Sequence, residues 1–314
     1  MLILTRTRVL GSEGVEAGRF PIQTGMLYNA CVQEADGVTG RLRVWADEND
    51  LVRAMILTGS RADPRSTTDI LSDYDVKLYV SSVQPFMTDD WLGFFGDVMA
   101  RWPLQPGSTF DKEWITRLVL FENRVRIDFQ ITAKEAVDPI ECDSGFRVLV
   151  DKCGLTAALS EATPARHIIT RPTRNDYEAL VNDFFWDATY VAKHLWRDEI
   201  YFAKYMLDCM IRFEHLRTII EWYIGTRNNW SVSSGKHGRF FRRYIDEQTW
   251  AEVEATFVDA DLENNWRALF DTIGLFTKLA KRVAKDLGYD YPDTLDHRVT
   301  DYCRQIKQIS RKSQ

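Results

Sequence analysis

The five cysteines of this chain (Cys31, Cys142, Cys153, Cys209 and Cys303) include no Cys-x-x-Cys pair and are odd in number. Neither a zinc site nor a complete disulfide framework is therefore expected, and a reducing cytoplasm is the natural setting. Long apolar runs are also missing. The opening MLILTRTRVL is cut by Arg6 and Arg8, and no later stretch approaches the roughly 18 apolar residues of a membrane helix. Neither export nor a membrane partner is expected. Positive charge is not in excess: 40 Lys and Arg stand against 46 Asp and Glu, for a net charge of -6. That balance argues against a general nucleic-acid binder, which needs a basic surface, and suits a cationic ligand. Internal repeats and low-complexity tracts are absent. What remains is a chain of 314 residues, 45% hydrophobic and 27% charged, with ample material for a core and no resemblance in composition to disordered or collagen-like chains. Its length exceeds what one core comfortably fills, so two domains are expected.

Residues 1–35 are Gly-rich without a sustained period and read as an N-terminal extension. From Val38 the pattern predicts a short amphipathic helix, then a strand over Ala54–Thr58 that ends on Gly59-Ser60. DVKLYV at 75–80 is the next strand. Thr88 is placed as the N-cap of a helix through Trp91, Phe94, Phe95 and Val98 that closes before Pro103. The segments 116–121 and 125–131 read as a hairpin about Glu122-Asn123-Arg124. Beyond Pro172 strand-length runs disappear and long helical periods take over, which marks a boundary near 155–172. Thr173 is placed to cap a helix carrying Leu180, Phe184, Tyr190 and Val191, and Gly225 to end the next. Further helices are expected over 237–257, 261–287 and 294–309, with Gly288 and Pro292 as punctuation. The expected fold is α+β: a mixed-sheet domain over 36–160 followed by an all-helical bundle over 170–314.

Three pieces carry chemistry. Gly59-Ser60-Arg61 follows a strand, Asp73-Tyr74-Asp75 opens another with twelve residues between Ser60 and Asp73, and Arg126-Ile127-Asp128-Phe129 lies in a third. Strand side chains alternate, so Asp73, Asp75 and Lys77 share a face opposite Tyr74, Val76, Leu78 and Val80. Likewise Ile127, Phe129 and Ile131 oppose Arg126, Asp128 and Gln130. If these strands are neighbours, three carboxylates converge. Alone, an Asp-x-Asp at a strand start is ordinarily a solvated turn. Together, three carboxylates repel one another unless a cation neutralises them, and hard oxygen ligands suit magnesium with a phosphate completing the shell. Nucleotidyl transfer is the reaction that uses such a site, lowering the pKa of an attacking hydroxyl and stabilising the pyrophosphate leaving group. Gly59 lets the backbone approach a phosphate, Ser60 can hydrogen-bond its oxygens, and Arg61 can add a charge-assisted bond.

The order and spacing of these pieces resemble the DNA polymerase beta-like nucleotidyltransferase superfamily. The resemblance narrows to the aminoglycoside 6-adenylyltransferases that inactivate streptomycin. It rests on ILTGSR (56–61), LSDYDVKLYV (71–80), RVRIDFQI (124–131), LVDK (149–152), VNDFFWDATYVAKHLWRDE (181–199), EWYIG (221–225) and SGKHGRFFRRY (234–244). It implies transfer of AMP from ATP, with magnesium, to a drug hydroxyl, most directly the 6-position of streptomycin, in a cleft between the two domains. Asp73 and Asp75 would hold the metals, with Asp128 as the third carboxylate, and Ser60 and Arg61 would meet the triphosphate. Lys193 and Arg197, and similarly Lys236 and Arg239, would face the nucleotide from the second domain. The family tends to have Asn-Glu-Phe-Trp-Trp where this chain has Asn182-Asp183-Phe184-Phe185-Trp186, and a glycine where it has His194. Asp183 would then be the general base, or bind the guanidinium groups of the drug together with acids such as Asp176, Asp187, Asp198 and Glu199. Trp186, Trp196 and Trp222 read as packing residues. The implied partners are ATP and a cationic aminoglycoside. The rivals are the same chemistry on a lincosamide or a protein, and a non-catalytic, antitoxin-like nucleotide binder.

Overall fold

The computed structural model describes residues 37–63, 66, 68–107, 113–142, 145–160 and 168–310; the N-terminal extension expected over 1–35 lies outside them. The chain divides into two compact units, Met1–Ala165 and Arg166–Gln314.

The first unit opens with helix α1 (Gly37–Glu48), which buries Val38, Leu42, Trp45 and Ala46. Six strands follow: β1 (Val52–Thr58), β2 (Tyr74–Val80), β3 (Val98–Gly107), β4 (Ile115–Phe121), β5 (Arg126–Thr132) and β6 (Phe146–Asp151). They form one sheet in the order β3-β4-β5-β2-β1-β6. Only the β2/β5 pair is parallel, and its register sets Asp75 opposite Asp128. Alternation puts Tyr74, Val76, Leu78, Val80, Ile127, Phe129 and Ile131 into the core beneath α1, as the sequence predicts. The polar members of both strands are thereby forced onto the other face.

The segment expected to be a helix through Val98 is instead a 3-10 turn over Asp90–Phe94 followed by edge strand β3. One short turn already delivers Trp91, Leu92 and Phe95 to the core, where Trp91 meets Phe129 with ring centroids 4.8 Å apart. Pro103 does not stop a helix here but sits in the outermost strand, where a missing backbone N–H leaves no ladder bond unmade. Strand β6, which the sequence reading did not place, closes the opposite edge against β1. LVDK has a local structural role. The Asp151 carboxylate accepts from the backbone N–H groups of Cys153, Leu155 and Thr156, and Lys152 Nζ donates to the Asp47 and Asn49 carbonyls at the C-terminal end of α1.

In the second unit, Thr173 caps α2 (Arg174–Trp196) through a reciprocal box with Asp176. Then come α3 (Ile200–Lys204), a π-helical stretch over Tyr205–Leu216, α4 (Arg217–Arg227), α5 (Glu247–Ala255), α6 (Leu262–Leu287) and α7 (Asp293–Gln308). Gly288 ends α6 in the left-handed region at φ 71°. Gly225 does not end its helix. It lies within α4, buried, and a Cβ there would fall 2.4 Å from the Trp230 ring, so the position requires glycine for space. The helix expected over 237–257 is two 3-10 turns, Lys236–Gly238 and Phe241–Arg243, before α5; left-handed backbone at Gly235, His237 and Gly238 breaks any longer run.

Candidate active site

Strand β1 ends at Thr58, and the 3-10 turn Gly59–Arg61 begins with Gly59 at φ 69°. A Cβ at this position would lie 2.1 Å from Asp75 Oδ2. The glycine therefore does two things: it adopts a conformation that side chains resist, and it leaves the space the carboxylate fills. Ser60 is partly exposed on the same turn. The Arg61 guanidinium, expected toward a phosphate, is engaged locally. It donates to the Ser72 carbonyl from Nη2 at 2.7 Å and Nε at 3.0 Å and to the Asp69 carbonyl at 3.2 Å, and it lies 4.0 Å over the Tyr74 ring. In this position it shapes the loop that delivers Asp73.

Asp73, Asp75 and Asp128 converge, each offering an oxygen within 4.8 Å of the others, and all three are half-buried. Parallel pairing of β2 with β5 produces this arrangement directly, since the register aligns two like-facing carboxylates. The electrostatic result is unfavourable to the charged state. Burial chiefly, then the neighbouring charges of Asp73 and Asp128, push the Asp75 carboxyl up to about 6, with Arg126 acting in the opposite direction. Three hard oxygen donors held close and repelling one another are a donor set that fits a divalent cation. Arg126, which the sequence reading placed on this face without assigning it a role, grips Asp128.

The remaining predicted residues belong to the second unit. Asp183 is exposed on α2 and accepts from Asn182 Nδ2 at 3.2 Å. Lys193 lies 4.4 Å over the Tyr190 ring, and Arg197 is exposed at the C-cap of α2. The helical period places Asp183, Trp186, Tyr190, Lys193 and Arg197 along one side of α2. Trp186 is 62% exposed rather than packed, because the apolar side of α2 is already filled by Phe184, Phe185 and Ala188. Trp196 and Trp222 do pack against the core. Of the other acids, Asp176 is taken by the helix cap, Asp187 bonds His215 Nε2 at 2.8 Å, Glu199 bonds His194, and Asp198 turns the chain at φ 62°. Lys236 and Arg239 sit in the tight glycine turn, Arg239 lying 4.7 Å over Phe240.

Comparison with known proteins finds the following similarities. A family model described as streptomycin adenylyltransferase matches residues 34–306. The chain is 31% identical over 268 residues to an aminoglycoside 6-adenylyltransferase of Bacillus subtilis (strain 168), covering 83% of this chain and 94% of that protein. It is 28% identical over 262 residues to one of Campylobacter jejuni, covering 82% and 90%. A crystal structure of an aminoglycoside 6-adenyltransferase from Bacillus subtilis aligns with 88% of this chain and 100% of its own at 25% identity, with a TM-score of 0.43.

Proposed function

The chain belongs to the streptomycin adenylyltransferase family, and from that premise we propose that it transfers AMP from ATP to a hydroxyl of an aminoglycoside, the 6-position of streptomycin being the first choice. The observation that carries this reading is the convergence of Asp73, Asp75 and Asp128 beside the Gly59 turn. All three metal-ligating carboxylates are present, which disfavours the non-catalytic rival.

The trio would hold magnesium, which when bound supplies the positive charge that stabilises in-line displacement at a phosphoryl group. The chain's own residues do the rest. Gly59 and Ser60 present an open backbone and a hydroxyl to the phosphates, while Arg61 fixes the loop that orients Asp73. Lys193 and Arg197 are proposed as triphosphate contacts. Asp183 is proposed as the acid that meets the acceptor, either accepting the proton of its hydroxyl or pairing with its guanidinium groups. In this reading 36–160 is the nucleotidyltransferase domain and 170–314 the acceptor-binding domain of a cytoplasmic enzyme. Among the described residues no helix is long and apolar enough to cross a membrane.

The test is incubation with ATP labelled at the α-phosphate, magnesium and, in separate reactions, a panel of aminoglycosides and a lincosamide. Label is expected on streptomycin and not on kanamycin or gentamicin. Label on a lincosamide alone would replace the acceptor while keeping the chemistry.

A further inference from the structure

Arg126 and Asp128 are two residues apart on β5 and so project to the same face. Arg126 Nε donates to Asp128 Oδ1 at 2.8 Å and Nη2 donates to Oδ2 at 2.7 Å. This two-pronged grip engages both oxygens of the carboxylate. The same Nε stands 3.7 Å from Asp73 Oδ2. One guanidinium thus contacts two members of the trio, and among the described residues no other lysine or arginine makes an ion pair with any of the three. The two partners are unequally covered: the Arg126 side chain is 47% exposed and that of Asp128 13%. The Arg126 guanidinium thus borders solvent, whereas the Asp128 carboxylate is largely covered on its strand.

We propose that Arg126 is an internal counter-ion of the trio that competes with the divalent cation for the oxygens of Asp128. The proposal rests on the reading of the trio as a metal site. Either cation relieves the repulsion among the carboxylates, but both cannot use the same lone pairs of Asp128. The affinity for metal is then set in part by how readily this guanidinium lets go. Arginine suits the role because it stays charged and its planar fork matches a carboxylate, whereas a lysine offers only a point charge.

The test measures binding of Mn²⁺ alone, without nucleotide, by the loss of free-ion signal in electron paramagnetic resonance. It compares the full-length wild type, Asp75→Asn, Arg126→Gln and Arg126→Lys. Removing a charge-assisted competitor should tighten Mn²⁺ binding by about 10-fold in Arg126→Gln. Arg126→Lys should fall between Arg126→Gln and the wild type. In chelator Arg126→Gln should melt below the wild type, and Mn²⁺ should raise its Tm by more. Equal or weaker Mn²⁺ binding by Arg126→Gln would overturn the proposal, as would an Arg126→Lys affinity equal to that of the wild type, which would assign the effect to charge alone. If Arg126→Gln does not fold, Arg126→Lys decides by the same comparison. Absence of Mn²⁺ binding by the wild type, or undiminished binding by Asp75→Asn, would overturn the metal reading itself and this proposal with it, an outcome distinct from wild-type binding that Arg126 does not influence.

Discussion

A methyl group on Gly59 would stand 2.1 Å from Asp75 Oδ2 at a backbone φ of 69°. Gly59→Ala should therefore cost about 1–2 kcal/mol from backbone strain alone, with more from the displaced carboxylate. Denaturant unfolding measures the stability loss, and near-complete loss of transfer should accompany it. Asp75→Asn should separate stability from activity. The folded state raises the Asp75 carboxyl to about 6, so it binds that proton more tightly than the unfolded chain does. The contribution of this group to stability is therefore full below about pH 4, falls as the pH rises toward 6, and remains lost above it. In chelator at pH 7.5, Asp75→Asn should be more stable than the wild type by up to about 3 kcal/mol, and the gain should disappear near pH 4. Adenylyl transfer should be almost abolished by the same change, since the neutral amide is a poor metal ligand. A variant less stable than the wild type at both pH values would refute the electrostatic account of the trio.

Strands β2 and β5 are legible because over Tyr74–Leu78 and Arg126–Ile131 buried apolar residues alternate with less buried polar ones, which separates core from carboxylates, although Tyr79 and Thr132 beyond them are buried on the carboxylate face. Their pairing is not legible in the sequence, since register between strands some fifty residues apart leaves no local trace in either. Edge strand β3 looks like the end of a helix in sequence for a physical reason. It is exposed along most of its length, so it carries no alternation, and the nearby Trp91, Leu92 and Phe95 mimic a helical face. Arg126 illustrates the same limit at the site, because its grip on Asp128 is a matter of rotamer rather than pattern. The π-helical stretch was equally silent. It positions a buried arginine, Arg212, which donates to Thr256 Oγ1 at 3.0 Å, pairs with Asp208 and reaches the Thr256 carbonyl at the end of α5. Arg212→Leu should cost about 2–4 kcal/mol, because buried Thr256 acceptors lose their donor. Thermal unfolding should register the loss, with the aligned rings of Phe184 and Phe276, 3.6 Å apart, as a second handle in the same unit. Phe276→Ala there should cost about 3–5 kcal/mol.

At the scale of the whole molecule, each unit has its own core, and the proposed function divides between them: phosphoryl chemistry on the sheet, acceptor recognition on the helices. The net charge of -6 is consistent with a cationic acceptor. Asp183→Asn tests this division. If Asp183 acts as base, kcat should fall with little change in KM; if it anchors the drug, KM should rise. A product-burst measurement establishes whether chemistry limits turnover, and an unchanged kcat/KM for streptomycin would remove both roles from this residue. The most direct measurement is the mass of streptomycin after incubation with the purified protein, ATP and magnesium. The account predicts an added AMP on one hydroxyl with release of pyrophosphate, and no addition with Asp75→Asn. An unmodified drug from a folded wild-type protein that also leaves every other aminoglycoside unmodified would contradict it.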